Sequence, residues 1–270
     1  MKKLPVRRNP DYTPKTRLAG LQGLLFAMLL SCIALPSVAA SLPDVIDKVR
    51  PSVVAVGTFQ PSGSPRQQFR GTGFVIGDGR YVVTNFHVLP DTLDDKRREQ
   101  LAVFSGRGRQ ARFHPATIVA QDPAHDLALL RINKALPALS LGQSRTPREG
   151  QEVAFTGFPI GMALGLYPVT HRGMIAAISP MAPPQLGSRT LSAKMIRAMR
   201  DPFDVLQLDA TAYPGNSGSP VYEQDTGAVI GVINSVFVKE TKEAVIQKPS
   251  GITYAIPVEF VRQLLADAKS

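Results

Sequence analysis

The chain has 270 residues, 44% of them hydrophobic and 19% charged, with a formal net charge of +10 at pH 7. This length is sufficient for one large hydrophobic core or two smaller ones. The sequence contains no Trp and only six Tyr, which gives little support to an aromatic platform for stacking nucleic-acid bases.

The first 40 residues have the pattern of an export signal. Six Lys and Arg side chains come first, an apolar run extends from residue 21 to about residue 35, and small residues follow up to Ala40. The run is shorter than the about 20 residues that a membrane-spanning helix needs. We therefore expect cleavage after Ala40, a periplasmic or secreted protein, and no stable membrane span in the mature chain. A retained N-terminal anchor and a lipoprotein signal at Cys32 are the alternatives.

Removal of this segment would change both the charge and the thiol content of the chain. Residues 1–40 hold six basic side chains and one acidic side chain, so half of the net +10 lies there and +5 remains. That excess is mild, and no nucleic-acid recognition motif accompanies it. Cys32 is the only cysteine, and no His-Glu-x-x-His spacing occurs. We expect no metal site, no cofactor and no nucleic-acid partner.

Beyond residue 40 the chain consists mostly of short β-rich segments separated by Gly, Pro and Asp. In the first half these segments are residues 53–56, 73–76, 81–84, 116–120 and 127–132. The second and third of them predict a hairpin around Asp78-Gly79. The polar stretch from residue 90 to about residue 110 predicts a long surface connection with a short helix near residues 94–101.

A Pro- and Gly-rich passage at residues 141–150 predicts the crossover to a second half of similar character. Its predicted strands are residues 152–155, 173–178, 205–208, 221–222, 228–234 and 252–256. Strands of this length and spacing are typical of a barrel or a sandwich. From Pro257 to about Ala268 the apolar spacing instead predicts a closing helix.

Three local motifs carry the residue types that nucleophilic serine chemistry requires. His87 lies in Thr-Asn-Phe-His-Val, Asp126 in His-Asp-Leu-Ala, and Ser217 in Gly-Asn-Ser-Gly-Ser-Pro. An isolated serine hydroxyl is a weak nucleophile and needs a base to accept its proton. Imidazole exchanges protons near neutral pH, and a carboxylate on its other nitrogen fixes the tautomer. Each residue alone also suits a strand end or a turn, but together they indicate base, orienting carboxylate and nucleophile.

The glycines around Ser217 predict a sharp turn that a substrate carbonyl can approach closely. The turn formed by Gly215, Asn216 and Ser217 is therefore a candidate oxyanion hole, with the N–H groups of Gly215 and Ser217 as donors. The other three histidines lack comparable motifs, and we expect surface or loop positions for them: His114, His125 and His171.

Further motifs extend the pattern over nearly the whole chain after residue 40. In chain order they are residues 71–76, 84–88, 122–129, 157–161, 207–210, 215–220, 231–234 and 254–257. From about Leu42 to Ala268 the chain resembles the protease domain of the HtrA family of trypsin-like serine endopeptidases. The resemblance implies an all-β fold of two six-stranded antiparallel β-barrels with a C-terminal helix.

The resemblance also implies the domain boundaries. A signal peptide at residues 1–40 precedes a protease domain at 41–270, with barrels at about 43–145 and 150–256 and the closing helix at 257–268. His87 and Asp126 of the first barrel and Ser217 of the second would meet in the cleft between them. We expect the protease domain alone, without the PDZ domain that follows it in most relatives.

Alignment of motifs also implies a pocket for the substrate residue before the scissile bond. Its walls are Thr211, Ala212 and Tyr213 on one side and Ile233, Asn234, Ser235 and Val236 on the other. None of these side chains is charged, so a Lys, Arg or Glu in the pocket would be unpaired. We expect small or medium aliphatic residues there. Alternatively, these residues pack the barrel and the segment Met181–Phe203 shapes the pocket.

Two features depart from the family pattern. Ser219 stands where the family usually has Gly, and Met181–Phe203 is longer than the corresponding segment of relatives. This segment is either a solvated insertion or a lid or sensor beside the active site. Relatives trimerise through N-terminal aromatic contacts, which implies a homotrimer with Phe59 as the candidate contact.

Three functions remain open at this stage. The first is an exported, metal-independent serine endopeptidase that acts on unfolded or damaged polypeptides. The second is a chaperone-like or catalytically silent module that holds extended peptides in the same cleft. The third is a processing protease with one specific protein partner.

Overall fold

The computed structural model of the protein describes residues 40–142, 147–159, 165–181, 203–234 and 253–269. The predicted export signal and most of the segment Met181–Phe203 lie outside these ranges, as do Ser235 and Val236. The described residues all belong to one structural unit, which begins at Ala40.

Six strands of the first half form a closed antiparallel barrel in the order β1-β2-β3-β6-β5-β4. The strands are β1 (Val53–Phe59), β2 (Gln67–Ile76), β3 (Tyr81–Asn85), β4 (Gln100–Ser105), β5 (Arg112–Asp122) and β6 (Leu127–Ile132). Successive side chains of a strand point to opposite faces. In β1, Val54 and Val56 therefore pack in the core of this barrel, while Val53 and Ala55 belong to a core shared with the second barrel.

The second half repeats this arrangement in the order β10-β11-β12-β9-β8-β7. Its strands are β7 (Glu152–Gly157), β8 (Val169–Pro180), β9 (Asp204–Leu208), β10 (Pro220–Glu223), β11 (Val229–Asn234) and β12 (Thr253–Pro257). Phe155, Leu206 and Ile233 are fully or almost fully buried in its interior. The predicted fold of two six-stranded antiparallel barrels is confirmed.

Two α-helices flank the barrels. Helix α1 (Leu42–Val49), which the sequence reading did not predict, buries Val45 and Val49 against the shared core. Helix α2 (Val258–Asp267) follows β12 directly and packs Val261 and Leu264 into the same core, which agrees with the predicted closing helix. Within the ranges that the structure covers, no helix has the length and apolar character needed to cross a membrane.

The predicted connection at residues 90–110 is the main difference from the sequence reading. A 3₁₀ turn at Asp95–Arg97 replaces the expected helix near residues 94–101, and it ends at Arg98, whose φ is 54°. Strand β4 then begins at Gln100 and pairs with β1 and β5. Its apolar side chains are needed to complete the barrel, so tertiary pairing outweighs the helical preference of the charged residues before it.

Candidate active site

His87 lies in a 3₁₀ turn, Phe86–Val88, that follows β3 directly. The Arg70 guanidinium fixes the end of this turn, because its Nε donates to the Val88 carbonyl at 2.8 Å and its Nη2 to the Leu89 carbonyl at 3.1 Å. The His87 side chain is 26% exposed, and its Nδ1 lies 2.6 Å from Asp126 Oδ2. The imidazole is thus held on one edge and accessible on the other.

Asp126 accepts three hydrogen bonds on a nearly buried carboxylate. The His87 backbone N–H donates to Oδ1 at 3.0 Å, while His87 Nδ1 and Asn234 Nδ2 both donate to Oδ2, at 2.6 and 2.8 Å. An ionised carboxylate can only accept, so the neutral imidazole carries its proton on Nδ1 and keeps the Nε2 lone pair free. This is the tautomer that a general base requires.

The backbone of Asp126 is in the left-handed region, with φ of 54°. A non-glycine residue adopts this conformation at some energetic cost, and such residues concentrate at functional sites. The Asp126 carbonyl accepts from the Phe86 N–H and from Asn85 Nδ2, both at 3.0 Å. These bonds join the start of β6 to the end of β3 and so fix the position of the carboxylate relative to His87.

Ser217 lies in a tight turn between β9 and β10 that packs against the first barrel. Gly215 and Gly218 have φ of 99° and 86°, which glycine adopts readily. A β-carbon at Gly218 would overlap the Thr72 carbonyl oxygen, so this position also needs glycine for space. A β-carbon at Gly71 would stand 3.0 Å from the Ser217 carbonyl oxygen and 2.6 Å from Val88 Cγ2. The serine turn therefore lies close to the turn that carries His87.

The amides of the serine turn fall into two groups. The N–H groups of Asn216, Gly218 and Ser219 donate at 2.9 Å to the carbonyls of Tyr213, Ile233 and Asn216, respectively. Those of Gly215 and Ser217 find no acceptor among the residues that the structure describes. Ser217 is buried and Gly215 is partly buried, and backbone donors in buried places are normally paired. Two unpaired N–H groups on either side of one residue are suited to bind an oxyanion.

The predicted pocket residues have different surroundings in the structure. Thr211, Ala212 and Tyr213 lie in the partly buried loop before the serine turn, and Ala212 N–H donates to Thr253 Oγ1 at 2.8 Å. Ile233 is fully buried among the core residues of the second barrel. The amide of Asn234 contacts Asp126. Sequence reasoning missed this contact, although a polar residue ending the apolar strand β11 is a usable signal.

The three remaining histidines have structural contacts. His114 is buried within β5 and His171 is half-buried within β8, whereas surface or loop positions were expected, and burial lowers the pKa of both imidazoles. His114 Nε2 is 2.7 Å from Ser105 Oγ, and the His171 ring stacks on Phe155. His125 lies in a turn, where its Nδ1 is 2.5 Å from Asp122 Oδ2.

No cluster of three or more His, Cys, Asp or Glu side chains within the described ranges is arranged to hold a metal ion. The chemistry that the described groups support is proton transfer by His87, whose turn lies close to the serine turn with its two free amide donors.

The sequence model of the family described as "Trypsin-like peptidase domain" matches residues 71–232. The chain belongs to the trypsin-like peptidases. It is also similar to HtrA serine proteases, as the sequence motifs predicted. It shares 33% identity over 228 residues with "Serine protease HTRA4" of Mus musculus, covering 83% of this chain and 40% of that protein. The "Serine protease HTRA2, mitochondrial" of Drosophila persimilis is 35% identical over 211 residues, covering 77% of this chain and 41% of that protein.

A solved structure, "Crystal structure of the serine endoprotease from Yersinia pestis", shares the fold with a TM-score of 0.59. Sequence identity to it is 24%, and the match covers 86% of this chain and 68% of that one. The chain spans about 40% of the length of the curated relatives that it matches. The resemblance to the HtrA family is thus confirmed, and the described domain is a trypsin-like peptidase domain.

Proposed function

We propose that this protein hydrolyses internal peptide bonds of extended polypeptides, with His87, Asp126 and Ser217 as its catalytic residues. One observation carries the proposal. An imidazole fixed by a nearly buried carboxylate lies close to a serine turn whose Gly215 and Ser217 N–H groups have no acceptor among the described residues. Acyl transfer needs both parts, a base for the hydroxyl proton and donors for the developing oxyanion.

The reaction follows from these groups. Ser217 Oγ attacks the scissile carbonyl carbon while His87 Nε2 takes the hydroxyl proton, and the N–H groups of Gly215 and Ser217 bind the oxyanion. Collapse of the tetrahedral intermediate breaks the C–N bond, and the imidazolium returns the proton to the leaving amine. Water then attacks the Ser217 ester by the same sequence, which releases the acid and the free serine. Asp126 stays ionised throughout and stabilises the imidazolium.

The proposed substrates are unfolded or damaged polypeptides with a small or medium aliphatic residue before the cleaved bond. The loop Thr211–Tyr213 supports this preference, because it is partly buried and carries no charged side chain. A buried unpaired charge on the substrate would cost several kcal/mol. Mapping cleavage sites in a denatured protein by mass spectrometry tests this. Cuts mainly after Arg, Lys or Glu would contradict it.

Export to the periplasm or the cell exterior is part of the same proposal. The basic and apolar pattern of residues 1–40 supports it. N-terminal sequencing of the mature protein should find Ser41. An intact Met1 or a lipidated Cys32 would contradict this proposal.

We also propose a homotrimer on the strength of the family resemblance. Phe59 packs against Phe113 of its own barrel, with ring centroids 4.4 Å apart, and remains partly exposed. Light scattering coupled to size exclusion measures the mass directly. A monomer for both wild type and Phe59→Ala would contradict the trimer.

Casein digestion tests the proposed activity itself. The wild-type protein should degrade unfolded casein, and Ser217→Ala should lose this activity while keeping the circular dichroism spectrum and the melting temperature of the wild type. Undiminished digestion by Ser217→Ala would refute the assignment. A folded wild type that binds casein without cutting it would instead favour the peptide-holding module, whereas cleavage of one cellular protein alone would favour the processing protease.

A further inference from the structure

We propose that Thr72 is a positioning residue that holds the oxyanion turn in its active conformation from the opposite barrel. Thr72 lies in β2, is fully buried, and contacts the serine turn through both its backbone and its side chain. The inference rests on the proposed peptidase function, and it identifies Thr72 as one residue that determines the rate of peptide hydrolysis.

Three hydrogen bonds join Thr72 to the second barrel. Its backbone N–H donates to the Ser217 carbonyl at 2.8 Å, and its Oγ1 donates to the Gly215 carbonyl at 2.7 Å. The same Oγ1 accepts the Phe158 N–H at 3.0 Å. The hydroxyl therefore uses its donor and an acceptor lone pair on two different segments. Valine has the same shape but supports neither of these side-chain bonds.

The orientation of the Gly215 carbonyl affects the direction of the neighbouring amide groups in the turn. Each peptide unit is planar, so a hydrogen bond that fixes a carbonyl also fixes the N–H of the next residue. Thr72 holds the peptide planes that follow Gly215 and Ser217, through hydrogen bonds to the carbonyls of these two residues. The peptide plane that follows Asn216 is held by the bond from Ser219 N–H to the Asn216 carbonyl. No bond within the described residues holds the N–H of Gly215 itself. Its direction is therefore set through the neighbouring peptide plane, which two bonds hold: Asn216 N–H donates to the Tyr213 carbonyl, and Thr72 Oγ1 donates to the Gly215 carbonyl.

The polar side chains of the turn do not supply this support. Asn216 is fully buried, yet neither Nδ2 nor Oδ1 has a hydrogen-bond partner among the described residues. Ser219 Oγ is likewise buried and unpaired within the described part of the chain. The turn therefore depends on its backbone bonds and on the hydroxyl of Thr72.

Thr72 also connects the turn to the strand that precedes the base. Its carbonyl accepts from Thr84 Oγ1 at 2.7 Å, and Thr84 lies in β3, three residues before His87. One residue thus has bonds to the His87 strand and to the oxyanion turn. The arrangement keeps the base and the oxyanion donors in a fixed relation across the barrel interface.

Thr72→Val tests the side-chain bonds, since it retains the backbone N–H and the side-chain volume. With fluorescein-labelled casein as substrate, kcat per active site should fall about 10- to 100-fold, less than the about 100- to 1,000-fold typical of deleting an oxyanion donor. KM should change less than about twofold, and the pH midpoint of the rate should stay in place, because the His87–Asp126 contact is untouched. Thr72→Ser keeps the hydroxyl and should restore at least about one third of the wild-type kcat.

Thr156→Val is the matched control. Thr156 is also a fully buried threonine whose hydroxyl is paired, at 2.8 Å to both Thr170 Oγ1 and Tyr222 Oη, but these partners are within the second barrel. Loss of its hydroxyl should lower the melting temperature without changing kcat per active site. Active sites are counted by titration with a fluorophosphonate probe, so unfolded protein does not enter the rate.

These outcomes distinguish a failure of the proposed peptidase function from a failure of the role of Thr72 alone. A folded wild type that the probe does not label would overturn the proposed function. A labelled wild type with an unchanged kcat per active site in Thr72→Val would overturn the role of Thr72 alone, as would an equal loss in Thr156→Val. If Thr72→Val fails to fold, Thr72→Ala replaces it under the same criteria. If neither variant folds, the comparison of Thr72→Ser with wild type decides, and a loss of kcat above about threefold there would overturn the role of the hydroxyl.

Discussion

Replacing Asp126 by Asn should nearly abolish activity while leaving the fold in place. The side chain has almost the same shape, but one of its two oxygens becomes an N–H₂ donor. In the wild type both carboxylate oxygens accept, one from the His87 backbone and the other from His87 Nδ1 and Asn234 Nδ2. The amide cannot satisfy all three donors in either of its two orientations.

Each orientation has a definite cost. With the amide nitrogen at the Oδ2 position, His87 Nδ1 must become the acceptor, which moves the imidazole proton to Nε2 and removes the base. With the nitrogen at the Oδ1 position, the tautomer is kept, but an N–H₂ group faces the His87 backbone N–H and the negative charge is still lost. The same exchange in Ser-His-Asp proteases lowers kcat about 10⁴-fold. We expect a loss of about 10³- to 10⁴-fold here, equivalent to about 4–5.5 kcal/mol in the activation free energy.

Asp122→Asn is the natural control for this experiment. Asp122 contacts His125 much as Asp126 contacts His87, with Oδ2 2.5 Å from the imidazole Nδ1 and Oδ1 accepting the His125 N–H at 3.1 Å. Both variants should be assayed for kcat/KM on labelled casein and for melting temperature. More than about one tenth of wild-type activity in Asp126→Asn, or an equal loss in Asp122→Asn, would refute the reasoning.

Three further predictions concern the turn, the pH dependence of stability and metal independence. Gly218→Ala places a β-carbon on a backbone with φ of 86° and against the Thr72 carbonyl. Casein digestion should therefore be lost, and the melting temperature should fall. Wild-type activity and melting temperature in this variant would contradict the close contact between Gly218 and Thr72. Burial lowers the pKa of His171 below its ordinary 6.5. The unfolded chain therefore binds the proton more readily, and the stability contributed by the neutral ring is present above about pH 6.5 and lost as the pH falls. His171→Phe should thus show a smaller drop in melting temperature from pH 7.5 to 5.5 than wild type, and an equal drop would contradict this. EDTA should leave the initial rate of casein digestion unchanged, whereas inhibition that zinc or calcium reverses would contradict a metal-independent mechanism.

Local sequence patterns predicted most of the strands, because the strands are short, rich in Val, Ile and Leu, and bounded by Gly, Pro or Asp. The arrangement of two six-stranded barrels was implied by the family resemblance. They failed for β4, since the charged residues before Gln100 favour a helix locally and the pairing partners of the strand lie in β1 and β5. Helix α1 was missed as well. It buries only Val45 and Val49, and its other apolar residues do not produce a long amphipathic pattern.

The candidate site was likewise predicted only in part from the sequence. Motifs indicated His87, Asp126 and Ser217 because each has distinctive neighbours along the chain. They did not reveal that the Asn234 amide contacts Asp126, 108 positions away, or that Thr72 reaches Gly215 across 143 positions. A threonine inside a strand is unremarkable in sequence, and its role follows only from the contact between the two barrels.

Reaction of the purified protein with a fluorophosphonate probe, followed by mass-spectrometric mapping of the labelled peptide, identifies the nucleophile of the protein. We expect a single adduct on Ser217 in the wild type, strongly slowed labelling in His87→Ala, and no adduct in Ser217→Ala. A folded wild-type protein with no adduct, or with the adduct on another residue, would contradict the assignment of Ser217 as the nucleophile.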